Sequence, residues 1–263
     1  MRLHIDRNKH DVLQKRLFFM TSLIAWFALD SRGVASAYFA TDSRITWPGN
    51  GTWDYGRKLF ACQSYPHILG YCGDVLFPTQ ILSQLTDMID SGLLLRQSDD
   101  VDTCVERITS TMSLALEKYP LTVKQKFEVL YCMREGAGIR SRFHLRKLTL
   151  GPNFEPQISS YETPPRSRIL EFLGSGGKSV KDNYARWQKS DVGGTSRASF
   201  SAFCDSLRCG SDPLSGGPPQ LVGLWRSGAA KTFGIVWNEK RFFYGLEVLL
   251  PPEDPNVQWY NEL

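Results

Sequence analysis

The stretch T-S-L-I-A-W-F-A-L-D-S-R-G-V-A-S-A-Y-F-A-T-D-S-R, residues 21–44, decides how this chain reads. Leu23 to Leu29 is a run of β-forming residues, Asp30-Ser-Arg-Gly33 is a turn, and Val34 to Thr41 is a second run, so the spacing predicts a hairpin with Thr21 at its entrance. Asp42 closes the second strand. Lys58 follows sixteen positions later, in Tyr55-Gly-Arg-Lys-Leu-Phe60, at the start of another apolar segment. A carboxylate and an ammonium at the ends of apolar strands are placed to meet in the interior beside a hydroxyl. Burying a lysine is costly enough that such a meeting points to chemistry.

The next landmarks outward are His67-Ile-Leu-Gly-Tyr-Cys-Gly-Asp74, Gly174-Ser-Gly-Gly177 and Asp212-Pro-Leu-Ser-Gly-Gly217. With these motifs in this order, residues 21 to about 245 resemble the proteasome β-subunit family of N-terminal-nucleophile hydrolases, HslV-type ring peptidases included. In that family a mature N-terminal Thr opens the first strand, a D-S-R follows the second, and a Lys comes sixteen positions after the Asp. Thr21, Asp42, Arg44 and Lys58 match in type, and Asp42 and Lys58 match in spacing. The resemblance implies that Gly73 supplies an oxyanion-hole N–H, within one residue of the family gap. It implies that Ser175 is the site serine in its HslV-type position, and that Asp212 and Ser215 hold the amino terminus. It places Ile45, Phe60, Tyr71 and Val75 around an apolar specificity pocket; read from the residues alone, those four are equally plain core. Two features depart from the family. The Thr21-to-Asp42 interval is several residues longer than usual, which calls for an extended, bulged hairpin, because an odd insertion reverses the facing of later side chains. Twenty residues precede Thr21, and the last is Met20 where family propeptides end in Gly.

A threonine hydroxyl is inert without a base, and an α-amino group whose ordinary pKa lies near 8 can serve if it belongs to the same residue. On this reading Thr21 is the nucleophile. Lys58 keeps the amine neutral and stabilises developing negative charge, and Asp42 compensates the ammonium. The neighbouring Asp30-Ser-Arg32 has Thr46, not Lys, sixteen residues on, so only the second D-S-R fits.

The chain has 263 residues, 42% hydrophobic and 22% charged, which is ordinary for a globular protein with one core-bearing domain. A net charge of +4 without a basic run interleaved with aromatics argues against nucleic acid as a partner. Six scattered cysteines without C-x-x-C read as reduced thiols of a cytoplasmic protein. The four histidines have no ligand spacing, so no metal and no cofactor is expected. Leu17 to Leu29 is largely apolar over thirteen positions and precedes Val34-Ala-Ser-Ala37, but cleavage there would delete a strand of the motif, and thirteen residues do not span a bilayer. No membrane partner is expected. Gly174-Ser-Gly-Gly-Lys-Ser179 resembles a phosphate-binding loop, yet Phe172 stands where the Walker pattern needs Gly.

Along the chain, Trp47 to Tyr55 reads as a loop. Ile81 to Ile89 and Val101 to Ala115 read as two helices, stopped at Gly92 and before Pro120. Alternation at Phe127 to Met133 and at Phe143 and Leu145, together with Ile169 to Leu173, predicts the strands of one sheet. Val180 to Trp187 and Phe200 to Leu207 read as another helix pair, and Leu221 to Trp225, Thr232 to Trp237 and Phe242 to Val248 as closing strands. Strands, two helices, strands, two helices, strands is an α+β order. It suits two antiparallel sheets with a helix pair on each outer face, the four-layer αββα sandwich that the resemblance implies. Residues 1–20 read as a leader, 21–250 as the domain and 251–263 as a tail. The leader has three accounts: a propeptide, an upstream start with synthesis truly beginning at Met20, or a segment that stays on. The function implied is a threonine-type peptidase or amidase acting on polypeptide, in a homo-oligomer such as a ring, with a partner ATPase. The alternatives are a non-catalytic ring or scaffold subunit and a small-molecule amidase.

Overall fold

A computed structural model describes residues 21–47, 51–120, 126–151, 155–250 and 257–261. The opening hairpin forms as strands β1 (Leu23–Asp30) and β2 (Gly33–Thr41), paired from Leu23↔Thr41 outward. The register slips by one between Ala28 and Leu29, so the expected bulge lies at the far tip of the hairpin. This position answers the problem of the long interval: the extra residues are absorbed away from Asp42, and the strand ends beside Thr21 keep their facing.

Around this hairpin an eight-stranded sheet is built from β10 (Arg168–Leu173), β1, β2, β11 (Gln220–Trp225), β12 (Lys231–Trp237), β13 (Lys240–Phe243) and β14 (Leu246–Glu247), with β15 (Trp259–Asn261) parallel to β12. A second, five-stranded antiparallel sheet runs β5 (Leu59–Ala61), β6 (His67–Gly73), β7 (Phe127–Glu135), β8 (Arg142–Leu150) and β9 (Gln157–Ser160). Helices α1 (Leu76–Asp90) and α2 (Val101–Lys118) follow the first strands, and α3 (Gly177–Trp187) and α4 (Ser196–Cys209) follow β10. Helix α2 starts where the acid run marks it, with the Asp100 carboxylate accepting the Thr103 N–H at 2.8 Å.

Three apolar layers hold four structural layers together. Leu82, Leu85, Ile108 and Met112 of the first helix pair pack on Leu69, Val129 and Tyr131 of the five-stranded sheet. Phe27, Phe39, Leu130 and Leu145 fill the space between the sheets. Trp26, Leu221 and Ile235 of the eight-stranded sheet meet Val180, Phe203 and Leu207 of the second helix pair. The chain is therefore a four-layer αββα sandwich of two sheets. Residues facing the helices and residues facing the other sheet alternate along β7, as at Leu130 and Tyr131, because a strand covered on both faces needs apolar groups on both.

Four expectations are corrected. Ile169 to Leu173 does not join β7 and β8; it pairs with β1 as the edge of the other sheet. A short run before a helix carries no mark of which sheet it joins, and here the hairpin edge left open by β1 takes it. Trp47 to Tyr55 is not all loop, since β3 (Ile45–Trp47) and β4 (Gly51–Trp53) form a small two-stranded sheet, with residues 48–50 outside the described set. The final run from Phe242 is broken at Tyr244 and Gly245, both at positive φ, into two strands. Within the 251–263 tail, Trp259 to Asn261 pairs with β12 and lays the Trp259 ring on Gly234. Residues 1–20, the leader, lie outside the described residues.

Candidate active site

The site begins where β2 ends. Asp42 is wholly buried and accepts four hydrogen bonds. Its Oδ1 takes the Ser22 N–H at 3.0 Å and the Lys58 ammonium at 2.8 Å. Its Oδ2 takes the N–H groups of Arg44 at 3.1 Å and Gly216 at 3.0 Å. A carboxylate in a dry interior is tolerated when its lone pairs are occupied and a cation lies against it, and Asp42 meets both conditions.

Lys58 has no exposed surface. Its Nζ is held by Asp42 and by the Arg44 carbonyl at 2.6 Å, so two of its three donors are engaged by the D-S-R segment. Arg44 is itself locked by a bidentate pair with Asp54, at 2.7 and 2.9 Å, and by the Pro213 carbonyl at 3.2 Å. The sixteen-residue spacing is thus spent on a closed loop: the strand end carries the carboxylate, and the chain returns through β3 and β4 to put the ammonium on it.

Thr21 is wholly buried and adjoins Ser22, whose N–H and Lys58 share one carboxylate oxygen. A second polar group lies on the other side of Ser22. Its Oγ donates to Ser215 Oγ at 2.8 Å, Ser215 Oγ donates to Asp212 Oδ2 at 2.7 Å, and Ser175 Oγ donates to the same oxygen at 2.6 Å. Ser175, Asp212 and Ser215, from two distant motifs, therefore converge on the residue after Thr21. Gly174 lets them do so. At φ +85°, with the Thr21 carbonyl lying where its Cβ would stand, this position excludes every side chain.

Gly73 ends β6 at φ +111°, paired with Phe127. Its neighbour Cys72 puts Sγ beside Gly174, which brings the end of β6 to the Thr21 carbonyl. The four pocket residues are less unified. Ile45 is buried against Gly56, next to the D-S-R segment. Phe60 and Tyr71 point into the core under helices α1 and α2, where the Tyr71 hydroxyl is engaged by Thr79 and the Arg57 carbonyl. Val75 is the half-buried residue that caps α1.

Sequence reasoning missed Gln220. Buried at the start of β11, it accepts the Lys58 N–H at 3.1 Å and donates to Ser43 Oγ at 2.8 Å and the Gly56 carbonyl at 2.7 Å, tying the D-S-R and Lys58 segments together. Its signal was an amide opening an apolar strand directly after Gly216-Gly-Pro-Pro219. Ser22 was passed over because it adjoins the more conspicuous threonine. Lys178 of the phosphate-loop look-alike is exposed and paired with Asp182 at 2.8 Å. Among the described residues no cluster could hold a metal ion, and no helix is long and apolar enough to cross a membrane.

The layers and the site define a four-layer αββα protein with a buried Asp–Lys pair at the strand end next to Thr21. No family model matches the chain, and no curated protein matches it. Among solved structures it is similar to a crystal structure of eukaryotic HslV from Trypanosoma brucei, at 12% identity and a TM-score of 0.47, over 77% of this chain and 99% of that one.

Proposed function

We propose that this chain is a threonine-type amide hydrolase whose nucleophile is Thr21 once residues 1–20 are removed. The observation that carries the reading is the Lys58 ammonium, wholly buried and held by Asp42 Oδ1, the oxygen that also takes the N–H of the residue after Thr21. A cation brought into the interior favours negative charge and disfavours positive charge on its neighbours, and Thr21, joined to Ser22 beside that carboxylate, carries the amine and hydroxyl on which we propose it acts.

As long as Met20 is attached, the Thr21 nitrogen is an amide and no base. When freed, the amine takes the proton from Thr21 Oγ as the oxygen attacks the substrate carbonyl carbon. Lys58 keeps that amine unprotonated beforehand by like-charge repulsion and stabilises the oxygen as it becomes anionic. The Gly73 N–H is the proposed donor to the carbonyl oxygen. The C–N bond breaks, the amine passes its proton to the leaving nitrogen, and water then hydrolyses the Thr21 ester. Asp212, with Ser175 and Ser215, positions the freed terminus. Polypeptide as substrate, a homo-oligomer, a partner ATPase and a cytoplasmic setting are the accompanying proposals, and they rest on the motif resemblance.

Mass spectrometry of the purified protein and hydrolysis of fluorogenic peptides test the reading together. A mature terminus at Thr21 is expected, with turnover that falls by at least about 10³-fold in Thr21→Ala. Turnover near wild type in Thr21→Ala excludes the mechanism.

A second reading, a non-catalytic ring or scaffold subunit, is favoured by the complete burial of Thr21 in the unprocessed chain. A terminus at Met1 and no turnover by a chain beginning at Thr21 would establish it. A small-molecule amidase would instead scatter light as a monomer or dimer and leave peptides intact.

A further inference from the structure

At the opposite end of β6 from Gly73, a cleft of about 640 Å³ is lined by Tyr65, His67, Arg96, Asp99, Arg134 and Glu135 among others. Arg134 is only 8% exposed. Its Nε donates to the Gly136 carbonyl at 2.9 Å, and its Nη1 to the carbonyls of Trp225 and Gly228 at 2.6 and 2.8 Å. Among the described residues no carboxylate pairs with this guanidinium. Carbonyl dipoles satisfy the geometry of its N–H groups but do not cancel a full charge held away from water. Burial pulls its pKa below the ordinary value, the direction an uncompensated cation takes.

The acids that line the cleft are turned elsewhere. Asp99 Oδ2 takes Arg107 Nη1 at 2.8 Å and the Arg96 backbone N–H at 2.8 Å. Glu135 lies 3.2 Å from His144 Nε2. Arg96 stands at the exposed rim, with no acid paired to its guanidinium among the described residues. His67 sets its Nδ1 against the Tyr131 hydroxyl at 2.8 Å, and burial holds its pKa down at about 4, so it is a neutral wall. The cleft therefore has two cations without partner acids, one buried at its floor and one at its mouth.

We propose that this cleft binds a small organic anion bearing a carboxylate or phosphate group, seated between Arg134 Nη2 and Arg96. Nη2 has no acceptor among the described residues, and a planar guanidinium offers such an anion paired donors. The site is separate from the Thr21 centre, and binding is independent of hydrolysis.

The test is isothermal titration calorimetry and thermal unfolding of the full chain with citrate and with inorganic phosphate, at constant ionic strength, with chloride as the control. Saturable binding that raises the melting temperature is expected for at least one of them. Citrate alone identifies a carboxylate ligand, and phosphate alone a phosphate ester. Arg134→Gln is expected to abolish binding and Arg96→Gln to weaken it about tenfold, while Thr21→Ala binds as wild type. If Arg134→Gln does not fold, Arg96→Gln carries the test, because its side chain stands at the rim. Absence of saturable binding by both anions, or an affinity unchanged in Arg96→Gln, overturns the proposal.

Discussion

Asp42 and Lys58 face each other across a dry interface, yet removing one should not cost the same as removing the other. Asp42 accepts from four donors: the Lys58 ammonium and the N–H groups of Ser22, Arg44 and Gly216. In Asp42→Asn the charge is lost, and one of the two oxygens becomes an NH₂ pointed at two donors. Lys58 then keeps the Arg44 carbonyl and no anionic partner, since the remaining amide oxygen is neutral. Breaking a buried pair in this way costs about 3–5 kcal/mol, a large part of a domain's net stability. In Lys58→Met the carboxylate keeps three peptide N–H bonds, which themselves favour its charged form, so the loss is nearer 2 kcal/mol. The double variant has neither the stranded ammonium nor the carboxylate, and it should be less destabilised than the sum of the single changes by ~2 kcal/mol. Urea unfolding measures all three, with Lys178→Ala as the control, because its exposed pair with Asp182 is screened by solvent and adds little to stability. On heating, Asp42→Asn should melt about 10 °C lower than wild type. The reasoning is refuted if Asp42→Asn costs no more than Lys58→Met, or if the double variant shows no coupling.

Further outcomes follow from other parts of the molecule. Burial keeps His67 neutral with a pKa near 4 against 6.5 for the free group, so the unfolded chain binds the extra proton between those values. Stability should therefore rise with pH through the window from 4 to 6.5 and fall as acid is added. The span is on the order of 3 kcal/mol and should flatten in His67→Gln, as read from urea unfolding across pH. Gly174→Ala would drive a methyl into the Thr21 carbonyl from a backbone at φ +85°; it should destabilise by more than about 2 kcal/mol in the same assay. Of six cysteines, five are buried and Cys209 is exposed. One equivalent of a thiol reagent should be consumed by the native protein and six after denaturation, with Cys209→Ser removing the fast equivalent.

The layer order was legible because it depends on local periodicity. The α2 helix declares itself by Val101, Cys104, Val105, Ile108 and Met112 on one face and by Asp100 at its start, and β7 by the recurrence of Phe127, Val129, Tyr131 and Met133 at every second position. Placement at the ends of apolar runs allowed Asp42 and Lys58 to meet in the interior, and the sixteen-residue interval pointed to their contact only through the motif resemblance; they do meet, at 2.8 Å. Membership of a sheet was not legible. Ile169 to Leu173 is as apolar as a strand of either sheet, and what assigns it is the free edge of β1, a fact of assembly that no five-residue window contains. The same limit hid β15, whose pairing rests on the Trp259 ring finding the bare surface of Gly234.

Gln220 shows why part of the site stays hidden even when its charged members are found. A charged pair in a core announces itself, since each residue type is rare there and each needs the other. The amide that aligns them carries no charge, and its four polar contacts go mostly to backbone: the Lys58 N–H and the carbonyls of Asp42 and Gly56, besides Ser43 Oγ. Backbone partners leave no trace in residue type, so no spacing rule could select Gln220 from the other polar residues near strand starts. Yet this side chain, from outside both segments, bonds directly to the D-S-R segment and to Lys58. The backbone segments that carry the carboxylate and the ammonium are thereby tied together by a neutral group from β11, in the opposite half of the chain. The pair is held from the second helix-strand half of the sandwich as well as from its own hairpin, and this is why its geometry depends on the whole fold being closed.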